Sequence, residues 1–281
     1  MIAAKAELTP ASVAEHYDEL DEFYREIWGE HVHHGLWRTG RESSAEATRE
    51  LVRAVAERAP VGPGMRLCDI GCGYGATARM LARDFGAEVT AVTVSPAQWR
   101  FAHAQGDESG RVTCVLGDWL RNDLPSASFD AAISVESSEH MPDKAAFFAE
   151  AARVLRPGGR LVICAWLARE NPSGNETRFL LEPICREGRM PGMGTESDYR
   201  RFFADAGFEV ESFEDVTARV KKTWPICAAR FVRELCRQPR YARFLFNRHA
   251  RNRIFALTMF RIWLAYTTGA MRYGIFAGIK R

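Results

Sequence analysis

Between residues 65 and 167 short apolar runs alternate with amphipathic stretches, and this alternation constrains the fold more than any other feature of the chain. Met65–Ile70 reads as a strand that ends in a glycine cluster. A helix over 76–85 follows, with Met80, Leu81 and Phe85 turned inward. Glu88–Val94 is the second strand, and Ser95-Pro96 opens the next helix with a capping hydroxyl and a first-turn proline. Val112–Leu116 and Phe129–Val135 are the third and fourth strands. The helix over 143–155 presents Phe147, Ala151, Val154 and Leu155 on one face before Pro157-Gly158-Gly159 stops it, and Leu161–Leu167 is the fifth strand. Strands joined through helices at this spacing require right-handed crossovers and a parallel sheet covered on both faces. A loop over 168–195, a helix over 197–206, a strand over 208–216 and the alternating run Tyr273–Ile279 complete the expectation. It is an α/β fold with a doubly wound, mostly parallel, seven-stranded sheet.

The flanks are helical. Val13, Tyr17, Leu20, Tyr24, Ile27 and Trp28 recur at helical spacing behind Pro10 and Ser12, and a second helix runs from about Ser44 to Ala59 before Pro60-Val61-Gly62-Pro63-Gly64. Residues 1–60 are expected to form a helical cap on a core of 61–281, with a helical insertion at about 217–270. Composition supports a globular, cytoplasmic protein: 47% of residues are hydrophobic, and the seven cysteines are odd in number, scattered and without a C-x-x-C pair. That usage argues against a disulfide scaffold and a structural zinc site. No leader is visible before Ala11, and the apolar stretch 254–270 is interrupted by Arg261 and too short to span a bilayer. Charge is unevenly placed. Residues 1–50 carry eleven acids against five bases, whereas 219–253 carry eleven bases against Glu234 alone. The basic segment is a candidate for a phosphate group or for peripheral contact with an anionic membrane; a solvated face is the plainer reading.

The segment Asp69-Ile70-Gly71-Cys72-Gly73-Tyr74-Gly75 follows a strand and opens a helix, the place where open parallel sheets bind ligands. Its spacing is G-x-G-x-G with an acid two residues upstream. A dinucleotide fingerprint, G-x-G-x-x-G, fits only with Ala76 at the last position, which leaves a nicotinamide enzyme as a minor alternative. The string resembles the cofactor motif of class I S-adenosylmethionine-dependent methyltransferases. The resemblance implies that Asp69 binds the methionine amino group over Gly71 and Gly73. Thr93-Val94-Ser95-Pro96-Ala97-Gln98 departs from the acid usual at the second strand. It is similar instead to the subgroup of cyclopropane fatty acid synthases, tocopherol methyltransferases and coclaurine-type N-methyltransferases, which implies ribose contacts from Thr93 and Gln98. Asp118 and Trp119 take the adenine by the same resemblance.

Glu136-Ser137-Ser138-Glu139-His140, at the end of the fourth strand, gathers two carboxylates and an imidazole suited to moving protons. A charged loop with Glu139 as a helix cap is the structural alternative. With Met141-Pro142-Asp143-Lys144 the string resembles the tocopherol-type loop, where such groups line the acceptor site. Glu136 and His140 are expected as proton acceptors, with Glu139 orienting His140. The run Tyr24 to Gly35 resembles the same group and implies a lid, with Tyr17 and Tyr24 near the cofactor carboxylate and His33 or His34 facing the acceptor. Three histidines lie close together at 31, 33 and 34, but no carboxylate spacing completes a metal site. The implied activity is methylation of a small hydrophobic molecule, foremost a carbon of a phenol, quinol or prenylated lipid. A small amine, or an alkene carrying a diphosphate, is the alternative. No nucleic-acid module is recognisable.

Overall fold

The computed structural model describes residues 1–3, 9–107, 109–247, 252 and 254–281. Its centre is a seven-stranded sheet built from β1 (Arg66–Ile70), β2 (Glu88–Thr93), β3 (Val112–Leu116), β4 (Phe129–Val135), β5 (Leu155–Ala168), β6 (Phe208–Asp215) and β7 (Met271–Lys280). The order is β3-β2-β1-β4-β5-β7-β6. The first five strands are parallel, and β7 runs antiparallel to both β5 and β6. The strand order reverses between β1 and β4, so their carboxyl ends diverge and leave a crevice there. Asp69 and Glu136 stand at those two ends.

Two helices precede the sheet, α1 (Pro10–Trp28) and α2 (Ser44–Arg58). Among the helices within and after it are α3 (Ala76–Phe85), α4 (Pro96–Gln105), α5 (Lys144–Val154), α6 (Glu182–Glu187), α7 (Glu196–Asp205), α8 (Thr223–Arg237), α9 (Pro239–Phe246) and α10 (Phe255–Thr268). Thr9 and Ser43 close capping boxes on α1 and α2, so both begin where their hydroxyls can satisfy first-turn N–H groups. Leu51, Val52 and Val55 of α2 share one buried cluster with Leu67, Met80 and Ile133, so α2 belongs to the layer over the sheet. The boundary expected at residue 60 therefore crosses a continuous core, and it is α1 with the run 30–33 that lines the cavities at the crevice.

Two elements differ from their sequence-based expectation. Instead of a loop over 168–195, a capping box at Ser173 and Glu176 starts a helical segment through a π-helical turn, Thr177–Leu181, into α6. The fifth strand begins at Leu155, because Pro157-Gly158-Gly159 are taken into it. The described residues contain no helix long and apolar enough to cross a membrane.

The charge asymmetry has an internal partner. Arg240 on α9 pairs with Glu22 at 2.6 Å and with Glu26, both on α1, and Tyr241 donates to Glu26 at 2.7 Å. Arg230 on α8 donates to the Ile27 carbonyl at 2.7 Å, where the carboxyl end of a helix favours a cation. The basic insertion thus holds down the acidic cap. Reversing one contact, Arg240→Glu, is expected to expose α1, read as faster limited proteolysis between residues 10 and 28. Global unfolding in urea should shift by no more than about 1 kcal/mol, because the pair is partly solvated. A shift well beyond that, with no change in proteolysis, would contradict the docking account.

Candidate active site

Two cavities meet behind α1, and Tyr17, Val32, Glu136 and His140 line both. The first is walled by Gly71, Gly73, Thr93, Gln98, Asp118 and Trp119, and it continues into a smaller recess with Asp69, His31, His33 and Tyr74. The second lies under α1 and the insertion, among Trp28, Trp166, Ile184, Met190, Trp224, Met259 and Ile262. The first is glycine-floored, with Thr93, Gln98 and Asp118 among its walls, a shape that suits a nucleoside; the second is mainly aromatic and aliphatic, with Glu136, Glu139 and Glu187 among its walls.

Gly71 shows why the floor is glycine. Its φ is +77°, and a Cβ there would stand 2.3 Å from the Cβ of Ser137. Next to it, Asp69 is 2% exposed and burial pushes its carboxyl up to about 7. Asp69 Oδ2 has no partner, nor do His33 Nε2 and His31 Nδ1 in the same recess. His33 Nδ1 donates to the His34 carbonyl at 2.8 Å, so its free Nε2 is a lone-pair acceptor in the neutral ring. A buried acid and a buried acceptor without donors suit a cationic ammonium group. On the facing wall the Thr93 hydroxyl donates to Gln98 Oε1 at 2.8 Å, and Asp118 accepts from the Leu120 N–H at 3.0 Å. Trp119 is buried in the core, with Nε1 donating to the Phe147 carbonyl at 3.2 Å, while its ring borders the cavity.

Glu136 follows β4 with φ +55°, a left-handed conformation rare outside glycine and common at strained functional turns. Its Oε1 accepts from the His34 N–H at 2.7 Å, His34 Nδ1 at 2.9 Å and the Tyr273 hydroxyl at 2.7 Å, and its Oε2 from Trp166 Nε1 at 2.9 Å. Burial alone would raise its pKa, but the interactions with His34 outweigh that and hold it below the usual carboxylate range. A carboxylate so well satisfied is a weak base, which removes the physical ground for Glu136 as a proton acceptor.

His140 is the better base. Its Nδ1 donates to the Arg189 carbonyl at 3.2 Å, which leaves Nε2 to accept from the Tyr17 hydroxyl at 2.9 Å. Burial lowers its pKa to about 4, so the ring is neutral at pH 7. Glu139 does not orient it. Glu139 accepts from the Trp166 N–H at 2.5 Å and the Ser138 hydroxyl at 3.1 Å, and burial raises its pKa. Lys144, lowered by burial, donates to the Ser138, Glu139 and Met141 carbonyls and so holds the turn that carries His140.

The histidines of the N-terminal run are placed differently from expectation. His34 lies behind Glu136, enclosed by Trp166, Trp224, Tyr266 and Tyr273, with Trp224 Nε1 donating to its Nε2 at 2.7 Å; it lines neither main cavity. His33 faces the Asp69 recess rather than the apolar cavity. In an extended run adjacent side chains diverge, and the bond to Glu136 turns His34 inward. Tyr24 also lies on the apolar side, its hydroxyl 3.1 Å from His16 Nε2, while Tyr17 stands between the two cavities. His16, Trp166, Trp224 and Tyr273 were not singled out from the sequence. His16 had one available signal, since it leads the i, i+1, i+8 set with Tyr17 and Tyr24 on α1. The described residues contain no cluster suited to a metal ion.

The mycolic acid cyclopropane synthetase family model matches residues 5–271. The chain belongs to that family. It is an S-adenosylmethionine-dependent methyltransferase, with S-adenosylmethionine as its cofactor. It is 35% identical to the 27-O-demethylrifamycin SV methyltransferase of Amycolatopsis mediterranei, over 79% of this chain and 83% of that one. It is 31% identical to the chloroplast tocopherol O-methyltransferase of Arabidopsis thaliana, over 80% of this chain and 71% of that one. The crystal structure of the [4+2]-cyclase SpnF superposes with a TM-score of 0.79 at 26% identity, covering 100% of this chain and 99% of that one.

The cofactor carries an ammonium group, and the unpartnered Asp69 oxygen fits it. Asp69 would have to bind it as the carboxylate, yet burial keeps the free group protonated below about pH 7. Binding therefore releases a proton in acid and tightens as pH rises. The affinity for S-adenosylhomocysteine, measured by calorimetry, should increase about tenfold from pH 6 to pH 8 and level off above that. Asp69→Asn should bind weakly and without this slope; a pH-independent wild type would refute the assignment.

Proposed function

We propose that this enzyme methylates a phenol or quinol carrying an apolar or prenylated group, at a ring carbon beside the hydroxyl, with His140 as the proton acceptor. The observation that carries this reading is the neutral His140 imidazole, whose Nε2 is directed to the wall between the glycine-floored cavity and the apolar one.

The bound cofactor supplies an electrophilic methyl on a sulfonium centre. Gly71, Gly73, Thr93, Gln98, Asp118 and Trp119 would hold the nucleoside and Asp69 the amino group. Transfer is an in-line displacement, so the chain's work is alignment and exclusion of water. Tyr17, Tyr24 and Trp28 present aromatic faces that attract cationic charge. Methylating the ring carbon creates a cation that must lose the proton on that carbon. His140 Nε2 takes it once the acceptor has displaced the Tyr17 hydroxyl. The fixed Glu136 carboxylate, which favours protonation of His140, stabilises the imidazolium.

The Arabidopsis relative is called a tocopherol O-methyltransferase, which favours the phenolic oxygen as a second reading; there His140 would take the hydroxyl proton. A diphosphate fits less well. Glu136, Glu139 and Glu187 line the apolar cavity, and among the described residues no Lys or Arg does.

The test is turnover of methyl-labelled S-adenosylmethionine with prenylated hydroquinones, simple phenols, amines and geranyl diphosphate, with NMR of the product to locate the methyl. Methylation of only an amine or the diphosphate would reject the proposal. His140→Ala should lower kcat by about 10²- to 10⁴-fold. S-adenosylhomocysteine should still bind within about threefold, since both ring nitrogens of His140 bond to the Arg189 carbonyl and the Tyr17 hydroxyl. Full turnover by that variant would exclude His140 as the base.

A further inference from the structure

We infer that the acceptor carries two hydroxyl groups and that His16 receives the second, so the substrate class is a dihydroxybenzene rather than a simple phenol. This rests on the proposed phenol or quinol methylation and adds a specificity-determining residue to it.

His16 is buried on α1 and lines the apolar cavity. Its Nδ1 lies 2.8 Å from Asn252 Oδ1 and its Nε2 lies 3.1 Å from the Tyr24 hydroxyl. The other end of the Asn252 amide donates through Nδ2 to the Glu19 carboxylate. A carboxylate only accepts, so the amide nitrogen must face Glu19 and the amide oxygen must face His16. His16 Nδ1 therefore carries the proton, and Nε2 presents a lone pair to Tyr24. Burial also lowers the pKa of this ring to about 4, which keeps it neutral.

The same arrangement occurs at His140. A carbonyl takes the Nδ1 proton, and Nε2 accepts from a tyrosine hydroxyl, here Tyr17. The four rings form one cluster. Tyr17 and Tyr24 have centroids 5.5 Å apart, His16 and Tyr17 5.4 Å, and Tyr17 and His140 5.5 Å. The apolar cavity thus offers two neutral imidazole acceptors, each oriented by a fixed carbonyl and each capped by a phenol of the protein's own. A ligand with two phenolic hydroxyls can replace both caps without leaving a buried acceptor unpaired. A ligand with one hydroxyl and one ether satisfies only one of them, and an unmet buried polar group costs affinity.

The probes are 2-prenylhydroquinone and its two monomethyl ethers, with kcat/KM measured for each. Wild type should prefer the hydroquinone over either ether by about tenfold or more. His16→Phe should lower the hydroquinone value to that of the ethers and leave the ethers within about threefold of wild type. His16→Gln, whose amide oxygen still accepts, should keep the preference. Equal use of all three compounds by wild type overturns the inference while leaving phenol methylation standing. An equal loss on all three in His16→Phe, together with loss of the preference in His16→Gln, also overturns it, because it marks a packing role. Turnover of none of them by wild type fails the underlying reading and this inference with it.

Discussion

The Glu136 carboxylate is the point on which the rest of the site depends. Four donors converge on it from three separate parts of the chain: two from His34, one from Trp166 in β5 and one from Tyr273 in β7. Burying a charge this deeply is tolerable only when its lone pairs are filled, and removing one partner of such a group typically costs about 3–5 kcal/mol. The anion therefore fixes the N-terminal run against the sheet and sets the wall between the two cavities. A group satisfied in this way is suited to holding geometry and charge, and the proposed proton transfer is assigned to His140 instead.

Around that anchor the protein divides polar work between the two sides of one wall. Toward the glycine floor it leaves Asp69 Oδ2 and His33 Nε2 without donors, an arrangement that suits a cationic ligand. Toward the apolar side it caps its imidazoles with its own tyrosines. The cap that supplies Tyr17, Tyr24 and His16 is held by the insertion through Arg240 and Arg230, so two segments of opposite charge meet at the entrance to the acceptor cavity.

The sheet and the grouping of Gly71, Gly73, Thr93, Gln98, Asp118 and Trp119 around one cavity were legible in the sequence because their signals are local. Alternation of strand and helix periods, the glycine spacing at 71, 73 and 75, and the Ser95-Pro96 cap each lie within a few residues of what they specify. The acceptor side was less legible because its contacts are not local. Asn252 lies 236 residues from His16, and Tyr273 lies 137 residues from Glu136. Which way His33 and His34 turn depends on Glu136 and Trp224, not on the extended run that contains them. The helical segment after β5 is an intermediate case. Its Ser173-Gly174-Asn175-Glu176 capping box is a readable start signal, but Pro183 in the middle of the apolar run suggests a break where the chain instead passes through a π-helical turn.

The antiparallel strand β7 has a consequence for assembly. It enters the sheet between β5 and β6, two strands that come earlier in the chain, and it brings Tyr273 to the carboxylate. The edge that receives it must stay open until residues 271–280 have been made, and pairings over such sequence distances form slowly. During synthesis on the ribosome the nucleoside half can condense first, since β1, β2 and β3 are contiguous. A nascent chain would thus carry the glycine turn at the end of a formed strand before β7 brings Tyr273 to complete the set of donors on Glu136.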